Sequence, residues 1–137
     1  MIHEAYLAGM IDGEGSLGLY FKHKKGKRSI IRWIQPSIEI SNTDKRMLKE
    51  LQKSFGGFIN WNHSSAWRLQ FSSLADIQRI LEISMPFLLI KKEKAQILLS
   101  YVKSRQTYSR RTPYSEKEKV LVIQFNAVKK MIEVLES

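Results

Sequence analysis

The sequence predicts an α+β domain whose four-stranded antiparallel sheet carries helices on one face only. Three observations predict it. Runs of alternating apolar and polar residues come in two pairs, and each pair is followed by a segment of helical period. A chain of 137 residues, 43% of them hydrophobic, is also long enough to bury one core. The order reads α-ββα-ββα-αα, a strand–strand–helix unit used twice, and residues 1–137 read as a single domain.

The first helix is expected from His3 to Gly13. Ala5, Gly9 and Gly13 recur every four residues and give it a small-residue face that another backbone can approach. Tyr6, Leu7, Met10 and Ile11 make the rest apolar, so burial on nearly every side is expected. A strand follows from Ser16 to His23, with Leu17, Leu19 and Phe21 alternating against Ser16, Gly18, Tyr20 and Lys22. After the glycine-containing turn Lys24–Arg28, a second strand spans Ser29 to Ser41, its Ile34, Ile38 and Ile40 opposing Gln35, Ser37 and Glu39. Pro36 within it predicts a bulge or a missing ladder bond.

The second helix covers Asp44 to Phe55 on Met47, Leu48, Leu51 and Phe55, and Gly56-Gly57 stops it. In the next hairpin, Phe58 to Asn62 and Ala66 to Ser72, the residues Phe58, Trp67, Leu69 and Phe71 are expected to face the core. Ser73 with Asp76 opens a third helix carrying Leu74, Ile77, Ile80 and Leu81. Pro86 ends that pattern. A fourth helix runs from Lys92 to Gln106 on Ala95, Leu98, Tyr101 and Val102. The basic loop Arg110–Pro113 leads to a last helix, capped by Ser115 and Glu118, with Leu121, Phe125, Val128, Ile132 and Leu135 at helical spacing.

The net charge of +10 favours a polyanionic partner, of which nucleic acid is the commonest. Basic residues are spread over strands, loops and helices, which argues against a membrane surface. The absence of cysteine excludes disulfides and thiolate zinc sites. No apolar run approaches the roughly 18 residues of a membrane helix and no secretory leader is apparent, so an intracellular, soluble protein is expected. His3, His23 and His63 lack metal-ligand spacing. The sheet face turned from the core would carry Ser16, Gly18, Tyr20, Lys22, Lys24, Gln35, Ser37, Glu39, Asn60, Asn62, Arg68 and Gln70. Such a face is either solvated or a nucleic-acid surface, since amides and basic groups read base edges and phosphates.

The segment Leu7-Ala8-Gly9-Met10-Ile11-Asp12-Gly13-Glu14-Gly15 resembles the signature of the LAGLIDADG homing endonuclease family, with six of nine letters identical. The resemblance implies the αββαββα fold of that family with extra C-terminal helices and a DNA-binding sheet. It implies a homodimer that hydrolyses both strands of a long pseudo-palindromic DNA target, with Ala5, Gly9 and Gly13 at the dimer interface. By the same resemblance Glu14 and the Gly13 carbonyl bind a divalent metal, Mg²⁺ or another such as Mn²⁺. Asn42 would order the attacking water, Lys91 would lie near the scissile phosphate, and Lys45 or Arg46 would add a basic group. The role of Asp12 stays open. Arg105, Arg110 and Arg111 read as solvated or phosphate-facing. An RNA splicing maturase or a non-catalytic DNA-binding regulator on the same fold is the alternative, with RNA as its possible partner. Retention of Glu14 favours the nuclease.

Overall fold

The computed structural model describes residues 3–62 and 65–136, with side chains described as far as Val128. The chain forms α1 (Glu4–Glu14), β1 (Gly15–Lys25), β2 (Ile30–Asn42), α2 (Lys45–Phe55), β3 (Phe58–Trp61) and β4 (Trp67–Phe71). Then come α3 (Leu74–Ser84), a 3₁₀ turn at Met85–Phe87, α4 (Lys92–Gln106) and α5 (Glu116–Glu136). The antiparallel sheet has the order β1-β2-β4-β3. The expected α+β architecture and element order are both present.

The helices cover one sheet face. Leu17, Leu19, Ile34, Ile38, Ile40, Leu69 and Phe71 of the sheet are buried against Leu7 and Ile11, Leu48 and Leu51, Ile77 and Ile80, Leu98 and Tyr101, and Phe125. Each such side chain contributes about 1.5–3 kcal/mol relative to exposure. Helix ends follow the residues that precede them. Asp44 caps α2 and Ser73 caps α3 through the Asp76 N–H. At α5 a full capping box forms, Ser115 Oγ accepting from Glu118 N at 3.1 Å and Glu118 Oε1 from Ser115 N at 2.9 Å. Leu121 and Val128 are only partly buried on α5. The side chains of Ile132 and Leu135, and His63 as a whole, lie outside the described residues.

Four expectations are corrected. First, α1 buries Leu7, Ala8 and Ile11, but Ala5, Tyr6, Gly9 and Gly13 are exposed, so within one chain the helix is covered on one side only. Second, Pro36 makes no bulge: the β1–β2 register runs unbroken through Leu19 opposite Pro36. The Ile34 N–H is donated to Tyr114 Oη at 3.1 Å, so it points away from β1. Pro36, two residues on, directs its nitrogen to the same flank, and pairing with β4 starts only at Ile38. No ladder bond is lost. Third, Phe58 lies on the polar face opposite Gln70 and is 56% exposed, because it shares the parity of Asn60; Ile59 takes the inward place opposite Leu69. Fourth, Phe21 has the inward parity but is 55% exposed: opposite the buried Ile34, it lines an open groove with Tyr114 and Lys119 instead of packing into the core.

One buried ion pair fixes the connection between α4 and α5. Arg105 and Glu118 are both buried and meet at 3.4 Å. The guanidinium also donates to the carbonyls of Ser109, Thr112 and Pro113 and lies on the Tyr114 ring. Arg105 is therefore neither solvated nor phosphate-facing; it is the clamp of residues 109–114. Burial beside Tyr114 and Glu118 pushes the Tyr101 phenol up, keeping it neutral. Because Glu118 would be left buried and unpaired, Arg105→Met should cost about 3–5 kcal/mol, read as a lowered urea midpoint.

Candidate functional site

The junction of α1 with β1 has no loop: the helix ends at Glu14 and the strand starts at Gly15. The Gly15 N–H caps the Ile11 carbonyl, and a Cβ at Gly15 would stand 2.6 Å from Ile11 Cα. Close approach, not an unusual φ, is what requires glycine there. Gly13, by contrast, remains helical, and among the described residues outside its own helical turn a Cβ on it would meet nothing within 4 Å.

This junction places Glu14 at the end of the sheet beside Asn42, the last residue of β2. Asn42 Nδ2 donates to Glu14 Oε2 at 2.9 Å. The amide cannot flip freely, because its Oδ1 accepts the Asp44 N–H at 2.7 Å. Asp12, two residues before Glu14, faces the other way. Its carboxylate accepts the backbone N–H groups of Leu89, Ile90 and Lys91 at 2.8, 3.3 and 3.0 Å. Lys91 closes the loop by donating its Nζ to the Asp12 carbonyl at 2.7 Å. A cation at a helix C-terminus is favoured by the macrodipole, by about 0.3–1 kcal/mol. Glu14, Asn42 and Lys91 thus gather at the end of α1.

Lys45 and Arg46 separate. Lys45 Nζ sits 4.1 Å from the Trp67 ring centre, and Trp67 pairs with Asn42 across the sheet. Arg46 forms an exposed ion pair with Asp44 at 2.7 Å, which holds the Asp44 carboxyl down at about 2. Glu14 is exposed and its carboxylate, with the Gly13 carbonyl, offers hard oxygen donors. Among the described residues no group of three or more His, Asp or Glu gathers around an ion. The donor set present, one carboxylate and a carbonyl, suits an ion of the Mg²⁺ type, which keeps most of its waters and takes one or two carboxylates.

The expected polar residues do share the sheet face turned from the helices. Ser16 faces Glu39, Gly18 faces Ser37, Tyr20 faces Gln35, and Gln70 and Arg68 continue the rows to Asn60. Lys22 and Lys24 extend it along the hairpin arm. Arg68 is held in place, its Nε donating to Asn60 Oδ1 at 2.7 Å and its Nη1 to Glu39 at 3.4 Å, while Asn60 donates to Gln70 at 3.3 Å. Two members differ from the rest. Gly18 is buried with the Tyr20 ring folded toward it, and Asn62 uses its side-chain oxygen to accept the Ala66 N–H and close the hairpin. Trp33 and Phe58 belong to this face and were not expected on it; strand parity with Gln35 and Asn60 was the signal for both.

A family profile described as LAGLIDADG endonuclease matches residues 7–108, from the motif helix through the end of α4. The chain belongs to the LAGLIDADG endonuclease family. Solved structures of similar fold include the homing endonuclease I-TnaI, with a TM-score of 0.72 at 16% identity, over 98% of this chain and 97% of that one. I-CvuI in complex with a DNA target in the presence of Mg, the DNA not cleaved, gives 0.68 at 17% identity, over 90% and 94%. I-SmaMI bound to cleaved DNA gives 0.72 at 18% identity, over 93% of this chain but 43% of that one. Against curated proteins the sequence found no match. Within the LAGLIDADG frame the geometry distinguishes the two motif acids: Glu14 faces Asn42, and Asp12 caps the segment that carries Lys91. Asp12→Ala would leave those three N–H groups without their acceptor. It should cost about 1–3 kcal/mol, with amide exchange accelerated selectively at residues 89–91.

Proposed function

We propose that this chain is a site-specific double-strand DNA endonuclease, acting as a homodimer with Mg²⁺ or a similar divalent cation. The contact that carries this reading is Glu14 with Asn42, beside Lys91 and at the end of a face rich in amides and cations. Glu14 and the Gly13 carbonyl would hold the cation, which when bound supplies Lewis-acid polarisation of a phosphoryl oxygen and a water made nucleophilic at neutral pH. Asn42, locked by Asp44, presents its amide to Glu14 and to whatever water stands there. Lys91 keeps further N–H donors beyond the one given to Asp12 and can meet a phosphate oxygen. The sheet face would lie in the major groove, with Arg68 aimed at a base edge by Asn60 and Glu39.

The homodimer is supported by what α1 leaves exposed. Among the described residues outside the helix's own turns, nothing stands within 4 Å of a Cβ at Gly9 or Gly13. Glycine inside a helix costs roughly 1 kcal/mol against alanine, and two of them on one open face suit the close approach of a second α1. A two-fold pair of α1 helices would bring two Glu14 sites together, one per strand of a duplex. I-SmaMI, of which this chain covers under half, has the length for two such units. Gly9→Leu should abolish dimerisation and cleavage together; an active monomer in sedimentation would refute the assembly. Glu14→Gln keeps size and removes charge, so cutting of a duplex selected from a randomised library should fall by orders of magnitude while its binding survives. Wild-type protein that cuts no duplex yet promotes RNA splicing, with Glu14→Gln unaffected, would instead establish a maturase.

A further inference from the structure

Beyond Phe71 the strand β4 ends, and the outer part of β2 has no strand on that flank. The segment 107–115 between α4 and α5 takes its place. Tyr114 Oη accepts the Ile34 N–H, and the buried Arg105–Glu118 pair ties down the carbonyls of Ser109, Thr112 and Pro113. This loop is built rather than loose. Two cations, Arg110 and Arg111, are carried on its exposed side, and among the described residues neither takes part in an ion pair. A cleft separates the loop from the sheet; its lining includes Trp33, Gln35 and Arg110 from the polar side and Ile34, Tyr101 and Tyr114 from the core side, with no carboxylate, and Arg111 lies outside it. Trp33 and Gln35 belong to the same face as Tyr20 and Lys22, opposite which they pair.

We propose that the α4–α5 loop is a second, sequence-independent DNA contact, a rigid phosphate clamp in which Arg110 and Arg111 grip the backbone at the outer end of each half-site. This rests on the endonuclease reading and extends it to a part of the chain outside the sheet. A loop fixed by a buried ion pair presents its cations at set positions, which lowers the ordering cost of meeting a phosphate. Its reach along the duplex follows from the strand. Trp33 stands nine residues from Asn42 on β2, up to about 30 Å at ~3.3 Å per residue. At about 3.4 Å per base pair the clamp falls roughly eight or nine base pairs from the cut.

The test compares wild-type protein with the double variant Arg110→Gln/Arg111→Gln, and with Arg110→Lys/Arg111→Lys, on a duplex recovered by cleavage selection. Both arginines are exposed, so folding is not at stake. Adjacent in sequence, the two arginines of a subunit hold one phosphate between them, so each glutamine subunit should leave that phosphate unneutralised and the slope of log affinity against log salt should become shallower by about 2 per dimer. Between 50 and 200 mM salt, wild type should therefore lose about tenfold more affinity than that variant. Phosphate-ethylation interference about eight or nine base pairs from the cut should vanish in the glutamine variant and persist in the lysine one. Equal slopes and equal interference for all three proteins, with cleavage intact, would overturn the clamp and leave the endonuclease reading standing. A slope change seen only on structured RNA would overturn it in favour of RNA binding. Wild type that retains no duplex would remove both readings.

Discussion

The loop-free passage from α1 into β1 sets the geometry on which the rest depends. Because Gly15 packs directly against the backbone of Ile11, the end of the helix cannot drift from the end of the sheet. That closeness brings Glu14 to Asn42, a residue 28 positions away in sequence. It also turns Asp12 outward from the junction toward the segment before α4, where three backbone donors converge on one carboxylate. Two acids two residues apart thus serve different elements. Both sit at the unfavourable end of a helix dipole, and each is compensated locally, Asp12 by N–H groups and Glu14 by the Asn42 amide.

Charge is distributed with the same economy. The ion pairs of the described residues lie on the helices and at the centre of the sheet, as with Lys53–Glu50, Lys103–Glu82 and Arg68–Glu39. None involves the hairpin arm, where Lys22, Lys24, Lys25, Lys27, Arg28 and Arg32 stand without acidic partners while Lys22 leans on the Tyr20 ring. The surplus of +10 is therefore concentrated where a polyanion running along the sheet would pass.

Local patterns made most of the fold legible. Alternating residues in β1 and β2, the glycine pair after α2 and the Ser115–Glu118 box all act within a few positions, so their consequences could be read from adjacent letters. The motif helix identified the site end through Gly15 and Glu14. What stayed hidden depends on contacts between distant segments. Asp12 finds its donors 77 residues and more away, and Arg105 finds its acid 13 residues on across a turn. Phe58 was misplaced for a different reason: its hydrophobicity outweighed its parity with Asn60, although a strand cannot turn both inward and outward. Pro36 is tolerated for a non-local reason too: the flank its nitrogen faces pairs with no strand, since β4 meets β2 only from Ile38 onward.

The sheet has two edges, and they differ. β3 is four residues long, whereas β1 runs for eleven and would expose a long row of unpaired backbone groups. α5 lies along that row, and Asn126 donates to the Leu19 carbonyl at 3.0 Å. The cover and the edge it protects are separated by about ninety residues of chain. On a ribosome adding some 5–20 residues each second, β1 would emerge roughly 5–20 seconds before the helix that shields it. During that interval the nascent chain carries a bare, eleven-residue β-edge, and the lysines at its far end are its own guard against pairing with a neighbour on the same message.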